Sequence, residues 1–271
     1  MRGALGEKIG EGCSADIHAW AAGQVVKLFK PGGERRLCRH EAQMTRAAFA
    51  AGLPAPEVFD EVTLEGRFGI VLSRLDGPTL RQLLWTRAMT PEQAGAILAA
   101  LSLSVHKTPP PPNVISLPDL MHALVQSPGN LLPKHLATGV LALLESLPPG
   151  DGLCHGDLLP GNVIMTAEGP RLIDWTWTRR AGPFLDLGHC HVVLCELIPE
   201  NHDDPELPRA VNAAVQSEYA RLAGMSPVTL TAVMESYLPI VRAFLLLVSR
   251  GSPALRERLI QRVEAALRPK D

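Results

Sequence analysis

The spacing of hydrophobic positions changes character near residue 75. Between Ile9 and Leu75 the apolar residues alternate or stand in short β-branched blocks, as in Asp16-Ile17-His18-Ala19-Trp20 and Gln24-Val25-Val26-Lys27-Leu28-Phe29. The second block is bounded by Gly23 and by Pro31-Gly32-Gly33, which predicts strands separated by turns. Glu34 to Ala51 has helical texture and stops at Gly52, a residue suited to the left-handed position that ends a helix. Val58-Phe59 and Phe68-Gly69-Ile70-Val71-Leu72 predict two further strands around a turn at Glu65-Gly66.

From Thr79 onward the pattern is helical. Helix starts are marked by a polar cap followed by proline: Thr90-Pro91, with Gln93 completing a capping box, then Asp204-Pro205, Ser226-Pro227 and Ser252-Pro253. After Asp204 the residues Leu207, Val211, Val215, Tyr219 and Leu222 fall on one helical face that stops at Gly224, and Leu255, Leu259, Val263 and Leu267 form a second stripe. Both are expected to be core. Pro109 to Pro112 predicts a stiff surface connection. The longest apolar run, around Ala243 to Val248 with Pro239 and Arg242 beside it, is taken as too short to span a bilayer and as a buried helix.

One stretch interrupts the helices. Gly152 to Met165 cannot be helical through Gly156 and Pro160-Gly161, so a loop carrying Asp157 and Asn162 is expected. A turn at Glu168-Gly169-Pro170 then leads into Arg171-Leu172-Ile173 and delivers Asp174.

Composition narrows the possibilities. The chain has 271 residues, 46% hydrophobic and 20% charged, and this balance excludes a disordered polymer. Aromatics are only 4% and the net charge is −2, so neither stacking on bases nor a global basic field for nucleic acid is expected. Cys13, Cys38, Cys154, Cys190 and Cys195 contain no C-x-x-C pair, and reduced thiols in a cytoplasmic protein are expected. The N-terminal residues lack the apolar core of a signal peptide, and no membrane partner is expected.

The polar residues in these elements match the needs of phosphoryl transfer. Gly10-Glu11-Gly12-Cys13-Ser14-Ala15 lies between two predicted strands, where Gly10, Gly12 and Ser14 offer backbone N–H groups to phosphates, although many hairpins contain two glycines and the third small position here is Ala15. Lys27 within its strand is either a surface lysine or an inward cation; the inward reading needs a carboxylate on the next helix, and Glu41 or Glu34 supplies it. Asp157 and Asn162 stand in D-x-x-x-x-N spacing. Read as structure alone, they and Asp174 are turn residues. Three such turns downstream of a glycine loop and a strand lysine favour chemistry: a carboxylate to orient a hydroxyl and oxygen ligands for magnesium.

His155-Gly156-Asp157-Leu158-Leu159-Pro160-Gly161-Asn162 followed by Ile173-Asp174-Trp175 resembles the signature of the aminoglycoside phosphotransferase family. That family includes choline and ethanolamine kinases, homoserine-kinase-like enzymes and fructosamine kinases, and shares the fold of protein kinases. The resemblance runs from Ile9 to about His191. It includes a match of Ser102-Leu103-Ser104-Val105-His106 to the helix before the catalytic half and of Phe184-Leu185-Asp186-Leu187-Gly188 to the element after the metal aspartate, with looser matches of the glycine loop and of Val71 to Leu80 to the hinge. It implies an α+β, two-lobed kinase-like fold, with a small β-rich N-lobe over residues 1–75 and a larger helical C-lobe over 76–271. By the same resemblance Asp157 is the catalytic base or the carboxylate that orients the hydroxyl, and Asn162 and Asp174 hold magnesium. Lys27 contacts the α- and β-phosphates and is positioned by Glu41. Backbone groups from Ser73 to Leu75 bind the adenine edge, His155 braces the loop and Asp186 anchors it. ATP is the expected donor, with GTP also compatible with hinge contacts made through backbone.

Departures from protein kinases favour a small acceptor. Leu159 stands two residues after Asp157 where many protein kinases carry lysine, Asp174-Trp175 replaces D-F-G, and there is no room for a long activation segment before Phe184. The acceptor is expected from the region beyond Asp174. Trp175 and Trp177 alternate, so if the strand continues one is buried and the other, Trp177, is available to a pocket. Glu196, Glu200, Asp203, Asp204 and Glu206 are either a solvated loop with a helix start or an acidic wall for a cationic amine-bearing alcohol such as an aminoglycoside. His189, His191 and Cys195 are expected to pack rather than bind metal, and Arg179-Arg180 to face solvent. The rival reading is a catalytically weak, nucleotide-binding regulatory protein, whose mark would be loss of Lys27, Asp157, Asn162 or Asp174.

Overall fold

A computed structural model describes residues 5–148, 150–198, 203–248 and 252–268. It has the mixed α+β, kinase-like architecture expected, divided into two compact units: Met1–Ala88 with Leu159–Thr178, and Met89–Leu158 with Arg179–Asp271. The first unit therefore reaches past Leu75 and takes back a later segment. Backbone hydrogen bonds explain why: the Met165 N–H donates to Pro78 O at 2.9 Å and the Leu172 N–H to Pro54 O at 2.8 Å, while Thr79 bridges to Ile164.

The first unit is built on an antiparallel sheet of β1 (Lys8–Glu11), β2 (Ala15–Ala19), β3 (Gln24–Phe29), β4 (Val58–Leu64) and β5 (Arg67–Ser73), in the order β1-β2-β3-β5-β4. β3 is covered on both faces, which is why its residues from Val25 to Phe29 are all buried. Phe29 packs with Cys38 and Ala42 of α1 (Arg35–Ala50) and with Ile70 of β5. By strand alternation Lys27 lies on the same face as Phe29. Gly52 ends α1 with φ +80°, and Glu65-Gly66, both at positive φ, make the tight β4–β5 turn. After β5 comes the short α2 (Leu80–Trp85), capped by Thr79. The returning segment supplies a 3₁₀ turn at Pro160–Asn162 and the hairpin of β7 (Val163–Thr166) and β8 (Gly169–Leu172); the turn is thus Ala167-Glu168, with Gly169-Pro170 already in strand. The hairpin approaches the chain so closely that a Cβ on Gly77, at φ +150°, would lie 2.0 Å from Met165 O.

The second unit is helical apart from a two-stranded ribbon, β6 (Gly152–Cys154) with β9 (Arg179–Ala181). α3 (Pro91–Lys107) starts on the predicted Thr90–Gln93 capping box, and the prolines 109–112 lead to α4 (Leu117–Gln126) and α5 (Lys134–Ser146). α6 (Phe184–Val192) continues into a wider π turn at Val193–Leu197. α7 (Glu206–Ala223) buries Leu207, Val211, Val215 and Tyr219, leaves Leu222 half-buried, and ends at Gly224 with φ +65°. The Asp204 carboxylate caps it as expected, accepting the N–H groups of Glu206 and Leu207 at 3.1 and 3.3 Å, while Pro205 lies just before the first helical residue. α9 (Pro253–Leu267) buries Leu259 and Val263 and leaves Leu255 and Leu267 half-buried.

α8 (Pro227–Val248) corrects one expectation. The apolar run belongs to a 22-residue helix, long and apolar enough by length and composition to cross a membrane. It is nevertheless a core element: Leu230, Met234, Tyr237, Ile240, Val241 and Phe244 are buried and the helix packs against α6 and α9. Arg179 corrects another. Alternation along β9 leaves Arg180 exposed but buries Arg179 completely, with its guanidinium 4.3 Å above the ring of Phe244.

Candidate active site

In the first unit, β3 and α1 bring Lys27 and Glu41 together. Lys27 Nζ donates to Glu41 Oε1 at 2.6 Å, and both groups are buried. Glu34, the alternative partner, is exposed at the start of α1 beside Arg36. The same ammonium lies 3.3 Å from Asp174 Oδ2. Burial alone would neutralise Lys27, but Glu41 and then Asp174 hold it charged, with its pKa raised above the ordinary lysine value. For Glu41, burial pushes the carboxyl up, Lys27 draws it back and Asp174 acts with burial; the outcome is upward.

Asp174 has a left-handed backbone, φ +64° and ψ +70°, a sparsely populated state for any residue with a side chain. It opens a 3₁₀ turn at Trp175–Trp177 rather than a continuing strand. Trp175 is buried and donates from Nε1 to Leu172 O at 3.1 Å, while Trp177 is half-buried. The hydroxyl of Thr176 lies 2.6 Å from Asp174 Oδ1 and 2.9 Å from Glu41 Oε2. One hydroxyl carries one proton, so two fully ionised carboxylates compete for it. The cluster holds one lysine against two carboxylates.

The ligands present suit magnesium. Asp174 offers a carboxylate and Asn162 an amide oxygen, both hard donors. Their segments are tied together by the Ile173 N–H donating to Asn162 O at 2.9 Å. One or two protein ligands, completed by water and phosphate, is the usual provision for this ion.

Gly10 is paired in β1, and the Gly12 N–H donates to Ala15 O at 2.8 Å, closing the β1–β2 turn that carries Ser14. That donor is used within the hairpin. At the hinge the Ser73 N–H donates to Glu57 O and the Arg74 N–H to Gly23 O, both at 2.9 Å, so the backbone donors of these two residues are also engaged. Leu75 joins Ser73, Arg74, Phe49, Glu57 and Arg171 in lining a cavity of about 370 Å³ that includes none of Lys27, Glu41 or Asp174.

In the second unit the loop of Asp157 is held by its backbone. Asp186, buried on the first turn of α6, accepts the N–H of His155 at Oδ2 and of Gly156 at Oδ1, both at 2.8 Å, and also faces His106 Nε2 at 3.2 Å. Gly156 adopts φ +85° to make that contact. Burial would push the Asp186 carboxyl up, but the His106 hydrogen bond, with His155 and Arg179 adding, brings it down to about 2. His106 is fixed in turn by Tyr219, its Nδ1 2.9 Å from the hydroxyl. His155 is fully buried, and its Nδ1 accepts the Asp157 N–H at 3.2 Å. Asp157 Oδ1 lies 3.2 Å from His189 Nε2.

The acidic stretch does not form one surface. Glu196 is buried, with Oε1 bonded by Arg242 Nη2 at 2.7 Å and Oε2 by Arg242 Nε at 3.2 Å and Arg262 Nη1 at 2.9 Å. Both oxygens are consumed by arginines, which removes Glu196 from an acidic wall. Asp204 caps α7, Glu206 pairs with Arg209, Asp203 is exposed, and Glu200 lies outside the described residues. His191 faces Asn212 and Gln216 on α7. Burial raises the thiols of Cys38 (to about 11), Cys154 and Cys190, which act as packing residues.

Thr176, His106, Arg179 and His189 were not assigned site roles from sequence. Thr176 stands in a 3₁₀ turn where strand alternation was expected, and His106 lies at the end of the helix matched to the family. Arg179 and His189 are placed by long-range packing that leaves no local signal.

The fold is that of the kinase-like phosphotransferases, with a strand lysine, a helix glutamate and a hairpin aspartate in one cluster. A family model described as the phosphotransferase enzyme family matches residues 7–225, and the chain belongs to that family. Small-molecule kinase activity is the class of chemistry that this membership brings. Among solved structures, an aminoglycoside-3'-phosphotransferase of type VIII is 21% identical, with a TM-score of 0.56 over 87% of this chain and 93% of that one. A choline/ethanolamine kinase family protein from Mesorhizobium loti is 20% identical, with a TM-score of 0.55 over 98% and 89%. An ADP-bound aminoglycoside phosphotransferase, APH(2'')-Ib, is 18% identical, with a TM-score of 0.55 over 97% and 92%. No curated protein matches the sequence.

Proposed function

We propose that the chain transfers the γ-phosphoryl group of ATP, with magnesium, to a hydroxyl of a small amine-bearing alcohol. The observation that carries this reading is the Lys27 cluster, one buried ammonium against two carboxylates, 2.6 Å from Glu41 and 3.3 Å from Asp174. On this reading Lys27 leaves Asp174 to contact the α- and β-phosphates while Glu41 keeps it in place. Asp174 and Asn162 would hold magnesium, and the ion would supply positive charge to offset the negative charge of the phosphates. Asp157 orients the acceptor hydroxyl and takes its proton as the new O–P bond forms and the bond from the γ-phosphorus to the ADP oxygen breaks. The protein contributes position and charge rather than covalent chemistry.

The acceptor class is drawn from the neighbours, whose names specify aminoglycoside, choline and ethanolamine. All three are cationic alcohols. Trp177, half-buried after the metal aspartate, is the residue proposed to line the acceptor side. The test is turnover by the purified chain with magnesium and ATP or GTP against a panel of amine-bearing alcohols. Metal-dependent ADP release that requires one class of acceptor is expected. Tight magnesium–nucleotide binding with no transfer to any acceptor would overturn the enzymatic reading in favour of a regulatory one.

A further inference from the structure

Asp186 and His189 are three residues apart on α6 and therefore share a helical face. That face grips three consecutive loop residues by different means. Asp186 takes the backbone N–H groups of His155 and Gly156, and His189 Nε2 reaches Asp157 Oδ1 at 3.2 Å. We infer that His189 is the positioning residue for Asp157: an imidazole whose Nε2–H fixes the carboxylate that receives the acceptor proton. This inference rests on the proposed role of Asp157.

The tautomer follows from the surroundings. His189 is buried, and among the described residues its Nδ1 has no hydrogen-bond partner. A proton on Nδ1 would bury an unpaired N–H and turn the Nε2 lone pair toward an anionic oxygen. A proton on Nε2 avoids both costs. The ring is held edge-on to Phe244 of α8, 6.5 Å between centroids, and the same Phe244 carries the guanidinium of Arg179. One aromatic side chain therefore packs against both the His189 ring and the Arg179 guanidinium. With its Nε2 already protonated and its Nδ1 enclosed, His189 does not take the acceptor proton onward; it aims the group that does.

The test combines substitution with a measurement independent of turnover. Gln places an amide nitrogen where the histidine has Nε2, Asn places one nearer Nδ1, and Leu supplies none. In His189→Leu, kcat is expected to fall by about 10²-fold, the cost of a misplaced catalytic group, with KM for nucleotide unchanged. His189→Gln should recover most of that loss and His189→Asn should not. Equal losses in all three, or a normal kcat in His189→Leu, would overturn the proposal. Imidazole proton–nitrogen correlation spectra of the wild-type chain should show His189 as the Nε2–H tautomer, with that proton shifting in Asp157→Asn. An Nδ1–H tautomer would refute the pairing. If the wild-type chain transfers phosphate to no acceptor, the functional reading fails while the spectrum still decides the pair.

Discussion

The two units each bury a charged cluster, and the clusters are balanced differently. In the second unit Asp186 is the acceptor for two backbone N–H groups and a histidine, and its carboxyl is held down at about 2. Both oxygens of that carboxylate are engaged by groups of its own unit. In the first unit a single ammonium serves two carboxylates that also share one hydroxyl. That cluster is short of positive charge and keeps Asp174 partly exposed, with 30% of its side chain accessible. A satisfied network makes a scaffold, whereas a charge-deficient one makes a place for a cation.

The largest expected effect comes from altering Asp157, the group proposed to orient the acceptor hydroxyl. Asp157→Ala is expected to lower kcat by about 10²–10⁴-fold, the range for losing a positioned acid–base group, while nucleotide affinity stays close to wild type. Parallel turnover and calorimetry on one preparation check this. Near-normal turnover would remove Asp157 from the chemistry.

Next in size is the scaffold itself. Asp186→Asn presents an amide where two N–H donors need an anion, and it is expected to destabilise the fold by about 3–5 kcal/mol, the range for breaking a buried charged network. The same group gives a pH signature. Because its folded pKa is depressed, its contribution of about 2 kcal/mol is fully present above the ordinary carboxylate range and fades as pH falls from about 4 toward 2. The Tm of the wild-type chain should drop through that window, and the Asn variant should lack this component. A Tm–pH curve identical in both proteins would show that Asp186 is not the anchor.

Much of this was legible from pattern alone, and the exceptions share a cause. β3, α1, the Glu65-Gly66 turn and the Thr90 capping box are local: each is set by residues within a turn or two of one another. A strand-then-helix order and the family resemblance already favour Glu41 over Glu34 as the partner of Lys27, and the packing of Phe29 on Cys38 and Ala42 is what sets α1 in place for it. Arg179 looked like a surface residue because arginine pairs usually are; only β9 alternation against Phe244 of α8, 65 positions later, buries it. The first unit's reclaimed hairpin is also non-local, depending on hydrogen bonds from Met165 and Leu172 back to Pro78 and Pro54. At the glycine loop and after β5, neighbouring backbone takes the N–H groups of Gly12, Ser73 and Arg74, pairings that residue spacing alone does not reveal.

A smaller effect should separate the metal from the nucleotide in the first unit. Asp174→Ala leaves the Lys27–Glu41 pair in place and removes the carboxylate proposed for magnesium. Nucleotide affinity in the presence of magnesium is expected to fall by about 10–100-fold, as when a metal-site group is lost, and to become the same with and without the ion. Calorimetry in the two buffers reads this directly. A metal dependence that survives the substitution would place the ion elsewhere and weaken the charge-deficit argument.

The smallest expected effect concerns the acidic stretch before α7. Asp204 is spent on capping, and asparagine caps as well as aspartate. Asp203 is exposed, and a surface charge at this range is largely screened by salt. The double variant Asp203→Asn with Asp204→Asn should therefore keep its Tm and leave KM for a cationic acceptor within about 2-fold of wild type, since exposed pairs contribute little. Steady-state kinetics at low and physiological ionic strength provide the check. A several-fold rise in KM confined to low salt would mean that these carboxylates steer the acceptor from a distance. A rise persisting at physiological salt would mean that they touch it, and the contrast between a satisfied second unit and a charge-deficient first would then need a third, acidic site.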